Sequence, residues 1–179
     1  MSFGKAPKRV DGQALQHYAS MLVAQRAMSS GEMRQKLRLK ALNPEDIEIV
    51  IAKLTEYGAL DDTRFAEAYA SARKENQGFG QQRVLRDLNK KRIGSEMAKE
   101  AVATTFSGTD EIALIEDYLA RKFRGKNLHE FLGEQKNFAS AFRRLRTAGY
   151  SAGNTLKVLR RYSTHAENVD EDSLEPDPD

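Results

Sequence analysis

The stretch Glu56–Gly80, EYGALDDTRFAEAYASARKENQGFG, decides how the chain is read. Gly58 supplies a turn, and the paired acids Asp61 and Asp62 follow it. Short carboxylates at such a place accept hydrogen bonds from the free N–H groups of a helix start. Either acid can cap, and Asp62 is taken as the cap. Phe65, Ala66, Tyr69 and Ala72 then recur at helical spacing, and Gly78 and Gly80 break the helix. The segment holds no nucleophile paired with a base and no metal-ligand spacing. It reads as scaffold joining two copies of one unit, with Phe65 and Tyr69 supplying core.

The copies appear on either side. Leu15, Tyr18, Ala19 and Leu22 mark one amphipathic helix, running on to Arg26. Ser29-Ser30-Gly31-Glu32 offers a cap with an acid just inside, and Met33 and Leu37 mark a second helix. Asn43 and Pro44 start a third, with Glu45 and Asp46 at its positive end and Ile47, Val50, Ile51 and Leu54 inward. The β-branched run there allows a strand, but the start signal and the spacing favour helix. Beyond the opening stretch, Val84 and Leu88 mark the next helix, and Gly94-Ser95-Glu96 restarts one with Ala98, Ala101 and Val102 inward. After Ser107-Gly108-Thr109 the pattern returns through Ile112, Ile115, Leu119 and Phe123, then Phe138, Ala141, Phe142 and Leu145, then Leu156 and Leu159.

The copies align residue by residue. Leu37, Leu88 and Leu145 correspond, as do Leu42, Ile93 and Tyr150, then Val50, Ala101 and Val158, then Ile51, Val102 and Leu159. Lys40 meets Lys91 and Glu45 meets Glu96. The third copy carries a longer insertion, Arg124–Asn137, left open between loop and helix. The fold expected is all-α, built of tandem three-helix repeats, each burying a face on its neighbours. The boundaries are a flexible N-terminus over 1–12, repeats over 13–60, 61–107 and 108–163, and a disordered acidic tail over 164–179.

Composition agrees with that plan. The chain of 179 residues is 40% hydrophobic, 31% charged and 8% aromatic, with mean hydropathy −0.65. Those values favour an extended repeat over one deep core. No apolar run approaches the ~20 residues of a membrane span, the start MSFGKAPKRV has no signal-like apolar core, and there is no cysteine. The location expected is cytoplasmic. The net charge of +3 hides an asymmetry: residues 166–179 hold seven acids and no Lys or Arg, so residues 1–165 carry 29 basic and 19 acidic groups. A basic body implies an acidic or polyanionic partner, against the plainer reading of a solvated helical surface.

The quoted residues also resemble a known family. GALDDTRFAEAYASAR, with Leu60, Asp61, Asp62, Arg64, Phe65 and Ala66, resembles the G-Y-L-D-D-x-R-F-A signature of the RecX family of recombinase regulators. RAMSSGEMRQKLRLKALNPEDIEIVIAKL and QQRVLRDLNKKRIGSEMAKEAV resemble the flanking helices of that family. The similarity runs from Leu15 to Val102 and more weakly to Tyr162. Arg92 and Ala41 stand where the family has a turn glycine, and Ala59 replaces an aromatic. The resemblance implies an elongated, curved, all-helical monomer that binds the RecA–DNA filament. It implies suppression of strand exchange, ATP hydrolysis and repressor co-cleavage by RecA, and weaker direct binding to single- and double-stranded DNA.

The chemistry expected is binding, with no cofactor, no metal and no enzymatic activity. No G-x-x-x-x-G-K-[ST] loop occurs, and His17, His129 and His165 lack metal spacing. The basic residues gather on the second helix of each copy. They are Arg34, Arg38 and Lys40; Arg83, Arg86, Lys90, Lys91 and Arg92; and Arg143, Arg144 and Arg146, with Arg160 and Arg161 after them. These are the candidate contacts to filament or DNA. Cations near helix C-termini also complement the dipole, so some serve the fold alone. The alternative is a nucleic-acid-binding helical protein with no recombinase partner, since three short helices with one basic helix resemble helix-turn-helix geometry.

Overall fold

Caps and apolar faces set three helices in each of the first two repeats and four in the third. The computed structural model describes residues 9–163; the start expected to be flexible, as far as residue 8, and the tail expected to be disordered, over 164–179, lie outside the described residues. Among the described residues all regular structure is helical, apart from an isolated bridge pairing Val10 with Ala41. The helices are α1 (Gly12–Gln25), α2 (Ser30–Arg38), α3 (Glu45–Glu56), α4 (Asp62–Ala72), α5 (Gln81–Lys90), α6 (Ser95–Thr105), α7 (Glu111–Lys122), α8 (Leu128–Gly133), α9 (Gln135–Thr147) and α10 (Ala152–Leu159). A π-helical turn, Arg73–Gln77, continues α4. Two compact units emerge, one of residues 1–69 and 87–101, the other of 70–86 and 102–179. The second repeat is thus shared between them.

In the first unit α1 and α2 pack on α3. Leu15, Ala19, Met33, Leu37, Ile47, Val50, Ile51 and Leu54 form its core with Met28, Ala41 and Leu60. The β-branched run of α3 is helical, as its spacing requires. Ser29 caps α2 by accepting from Glu32 N–H at 3.0 Å. Pro44 precedes α3 with helical dihedrals, and Glu45, Asp46 and Glu48 crowd the first turn. No side chain caps α3, so Asn43 does not play that part. Gly58, at φ 66°, ends it.

The signature departs from its sequence reading in two ways. Asp61, not Asp62, caps α4, accepting from Arg64 N–H at 2.9 Å. Asp62 reaches the start of α2 instead, where it accepts from Ser30 N–H at 2.7 Å and from the Ser30 hydroxyl. The two acids therefore serve two helices. Ala66 is fully buried, but Phe65 and Tyr69 are half-buried and stack on each other with centroids 5.7 Å apart. They lie beside an open groove with Met28, Ala59 and Arg64, outside the core assigned to them from sequence.

Helix ends meet in both units by the same chemistry. In the first unit, the end of α5 turns through Arg92, at φ 59° the one non-glycine with positive φ among the described residues. Arg92 N–H donates to Asn89 O at 2.9 Å and Ile93 N–H to Leu88 O at 3.2 Å, a Schellman turn whose apolar pair, Leu88 and Ile93, is buried. That turn lies on the start of α2. The Ser29 hydroxyl donates to Lys91 O, and a Cβ on Gly31 would stand 2.5 Å from Arg92 Cβ.

In the second unit the end of α9 repeats the turn. Gly149, at φ 97°, donates to Arg146 O at 3.0 Å, and Tyr150 N–H to Leu145 O at 3.2 Å. Gly80 N–H then donates to Ala148 O at 2.8 Å and Gln82 N–H to Gly149 O at 3.2 Å. Unpaired donors at the start of α5 thereby meet unpaired acceptors at the end of α9.

The core of the second unit centres on Ile115, Leu119, Phe138, Phe142, Leu145, Tyr150, Leu156 and Leu159. The insertion left open from sequence forms α8, capped by Asn127, whose fully buried Leu132 joins this core. The Tyr150 hydroxyl donates to Gly78 O, and burial pushes its phenol far above the usual range. Glu111, at the start of α7, accepts from Ser151 N–H at 2.9 Å, from the Ser151 hydroxyl and from the Asn154 amide. Burial alone would raise its carboxyl, but those bonds outweigh it and hold the group below its ordinary value.

Candidate nucleic-acid interface

The structure sorts the thirteen basic candidates by what each already touches. In the first unit Arg34 is held by Glu48 through two bonds, 2.7 and 2.9 Å. Lys91 pairs with Glu32 at 3.0 Å, and Arg26 holds the same carboxylate at 3.3 Å. Burial would raise Glu32, but these two cations keep it below its ordinary value. Arg92 donates Nε to Gln35 Oε1 at 2.9 Å, and Lys40 lies over the Tyr18 ring. Arg38 and Lys90 are exposed, with Arg38 close enough to Glu48 to help lower its carboxyl. This unit therefore spends much of its positive charge on its own acids.

The remaining candidates lie in the second unit. Arg83, from the start of α5, lies over the Phe79 ring at 5.2 Å, and its Nη1 is 3.4 Å from Thr147 O. Arg86 reaches the same carbonyl at 3.4 Å. Bonds that long to an exposed carbonyl are weak and exchange readily with a phosphate. Arg143 is exposed with no partner among the described residues, and Arg144 is exposed with its guanidinium 6.0 Å from the Phe123 ring. Arg146 is committed, donating to Tyr150 O at 2.6 Å. Arg161 pairs with Glu116, while Arg160 is exposed and without a partner among the described residues.

A groove gathers part of this set. Arg83, Arg143 and Arg144 line it, with Phe79, Tyr118, Ser140 and Thr147. Arg121 and Lys122 line the adjoining hollow, which shares Phe79 and Tyr118. The Tyr118 phenol reports this charge: burial pushes it up, while Arg144, Arg121 and Arg83 pull it down. Chemically this is a hollow lined by two aromatic rings and three guanidinium groups. Such a surface fits an anion that carries a flat or apolar part, through phosphate contacts and stacking together. The π-helical turn places Phe79 at its edge, and such turns occur often at functional sites.

Sequence reasoning missed Arg121, Lys122, Phe79 and Tyr118. Arg121 and Lys122 close the first helix of the third repeat, whereas the recurring basic pattern lies on second helices. Gly78 is the available signal, because a Cβ there would collide with the Arg121 guanidinium. Among the described residues no group of His, Asp or Glu is placed to hold a metal ion.

Comparisons with known proteins bear on the family and the fold. A family model described as RecX, second three-helix domain, matches residues 61–102. The chain is 30% identical over 133 residues to regulatory protein RecX of Vibrio parahaemolyticus, covering 74% of this chain and 81% of that one. It is 30% identical over 146 residues to regulatory protein RecX of Pseudomonas fluorescens, covering 82% and 90%. A crystal structure of RecX from Lactobacillus salivarius superposes with TM-score 0.64 at 18% identity, covering 84% of this chain and 96% of that one. That last likeness concerns the fold.

Proposed function

Because the chain belongs to the RecX family of regulatory proteins, we propose that it binds the RecA–DNA filament and inhibits recombination, ATP hydrolysis and co-protease activity by RecA, without catalysis of its own. The observation that carries the reading is the guanidinium-walled groove of Arg83, Arg143 and Arg144. A nucleoprotein filament offers phosphate and acidic protein surface side by side, and one basic face can engage both. Asp61, Asp62 and Ala66 hold helices in place, while Arg64 and Phe65 line a separate open groove in the first unit; we assign the contact to the basic groove. The binding-competent set narrows to Arg86, Arg121, Arg143, Arg144 and Arg160, with Arg38 and Lys90 from the first unit. Arg34, Lys91, Arg146 and Arg161 serve intramolecular pairs first. The protein acts in this scheme as a cytoplasmic monomer.

The test compares the chain with its Arg143→Gln/Arg144→Gln variant as inhibitors of DNA-stimulated ATP hydrolysis by RecA. The chain inhibits at amounts well below those that coat the DNA, and the variant needs at least about tenfold more, from two charge-assisted contacts of about 1 kcal/mol each. Unchanged inhibition by a variant of unchanged helicity would move the contact surface elsewhere.

A further inference from the structure

The groove of the second unit has a candidate occupant within this chain. Residues 164–179 lie outside the described residues, so only their sequence is used. Residues 166–179 carry seven carboxylates, no Lys or Arg, and Val169 and Leu174 as the larger apolar groups. The groove carries the opposite charge beside aromatic rings. Arg83, Arg143 and Arg144 line it, with Phe79 and Tyr118. The described chain leaves this same unit from α10, which packs on α7 and α9, the helices that bring Tyr118 and both α9 arginines to the groove. Sixteen residues extend up to about 50 Å, so reach does not limit the contact.

We propose that the acidic segment 166–179 binds this groove intramolecularly and competes there with polyanions. The inference rests on the reading of the groove as a polyanion site. A tethered segment is present at millimolar effective concentration, so even a weak, millimolar contact lowers apparent affinity for DNA by about two- to tenfold. Every ligand that must displace the segment loses this factor. Bare DNA must take the groove from the segment, whereas a filament adds protein contacts outside the groove, so the segment sharpens preference for the filament. Salt weakens both the segment's contact and DNA binding, so the effect fades as ionic strength rises.

The experiment compares the full chain with a chain ending at His165, each with and without Arg143→Gln/Arg144→Gln. The probe is a fluorescent oligothymidylate, titrated without recombinase at low and moderate salt. The expected result is a two- to tenfold gain in affinity on truncation at low salt, vanishing in the groove variant. In parallel, a synthetic peptide of residues 166–179 added to the truncated chain shifts the NMR signals of Phe79 and Arg143. Equal affinity with and without the segment overturns the proposal. So does an equal gain in the groove variant, which would signify general charge repulsion, or a peptide that moves no groove signal. If the truncated chain binds the oligonucleotide no better than its own groove variant, the reading of the groove fails first. Circular dichroism of all four proteins checks that each is folded, and the peptide titration uses the unsubstituted groove.

Discussion

Replacing Gly31 by Ala sets two rules against each other. Gly31 is the second residue of α2, and glycine inside a helix costs about 1 kcal/mol relative to alanine. Propensity alone therefore expects stabilisation. The structure expects the opposite. An added Cβ would stand 2.5 Å from Arg92 Cβ and 2.6 Å from Arg92 O, where ordinary contact begins near 3.4 Å. Arg92 is fixed at φ 59° in the turn that ends α5, so its backbone does not yield cheaply. Overpacking of this kind costs about 1–3 kcal/mol. Net of propensity, the loss is up to about 2 kcal/mol, or a fall of up to about 4–8 °C in Tm for a chain of this size. Gly133→Ala is the control. It lies in α8 with nothing within 4 Å of its Cβ, and it gains up to about 1 kcal/mol. Thermal melts followed by circular dichroism read both. If Gly31→Ala melts as high as Gly133→Ala, the start of α2 does not rest on the Arg92 turn as described.

Further expectations follow from the same contacts. Asp62→Ala removes charge-assisted bonds to Ser30 and costs about 1.5–3 kcal/mol, while Asp61→Ala removes an ordinary cap and costs about 0.5–2 kcal/mol; chemical denaturation that ranks Asp61→Ala as the more damaging change contradicts the assignment. Glu111 has a folded pKa below its unfolded value, so its stabilisation is complete above about pH 4.3 and is lost as pH falls through the folded value. Glu111→Gln should therefore lower stability at neutral pH and flatten the decline below pH ~4.3, and an equally steep acid limb would exclude Glu111 as its source. In the groove, Arg143→Gln/Arg144→Gln should flatten the log–log salt dependence of binding to single-stranded DNA by about 1.4, roughly 0.7 per phosphate contact; an unchanged slope places the phosphates elsewhere.

Much of the fold was legible because buried positions repeat. Leu37, Leu88 and Leu145 are all fully buried, as the alignment of the copies requires. The alignment fails five residues on. Ile93 and Tyr150 are buried, but their counterpart Leu42 is 56% exposed. The second and third copies turn through a left-handed residue there, whereas the first pairs with Val10. Leu42 N–H donates to Val10 O at 2.8 Å, and Ala41 is buried in place of Leu42. No periodicity reveals a partner thirty residues away. The same blindness affected the candidate interface. Helical spacing placed Arg34 and Lys91 on exposed faces, but their partners Glu48 and Glu32 lie on other helices or in another repeat. Asp62 was misjudged for a related reason: its position fits a cap, and only the tertiary structure brings Ser30 to its carboxylate.

The measurement that tests the central claim most directly is the inhibition of RecA ATP hydrolysis at two DNA concentrations. RecA is held constant and saturated with single-stranded DNA, and the chain is titrated alone and then with a fivefold excess of bare duplex DNA. A regulator that recognises the filament keeps nearly the same midpoint in both titrations, well below one chain per RecA. A midpoint that rises in proportion to the added duplex would mean that the protein merely competes for DNA, and would contradict the account.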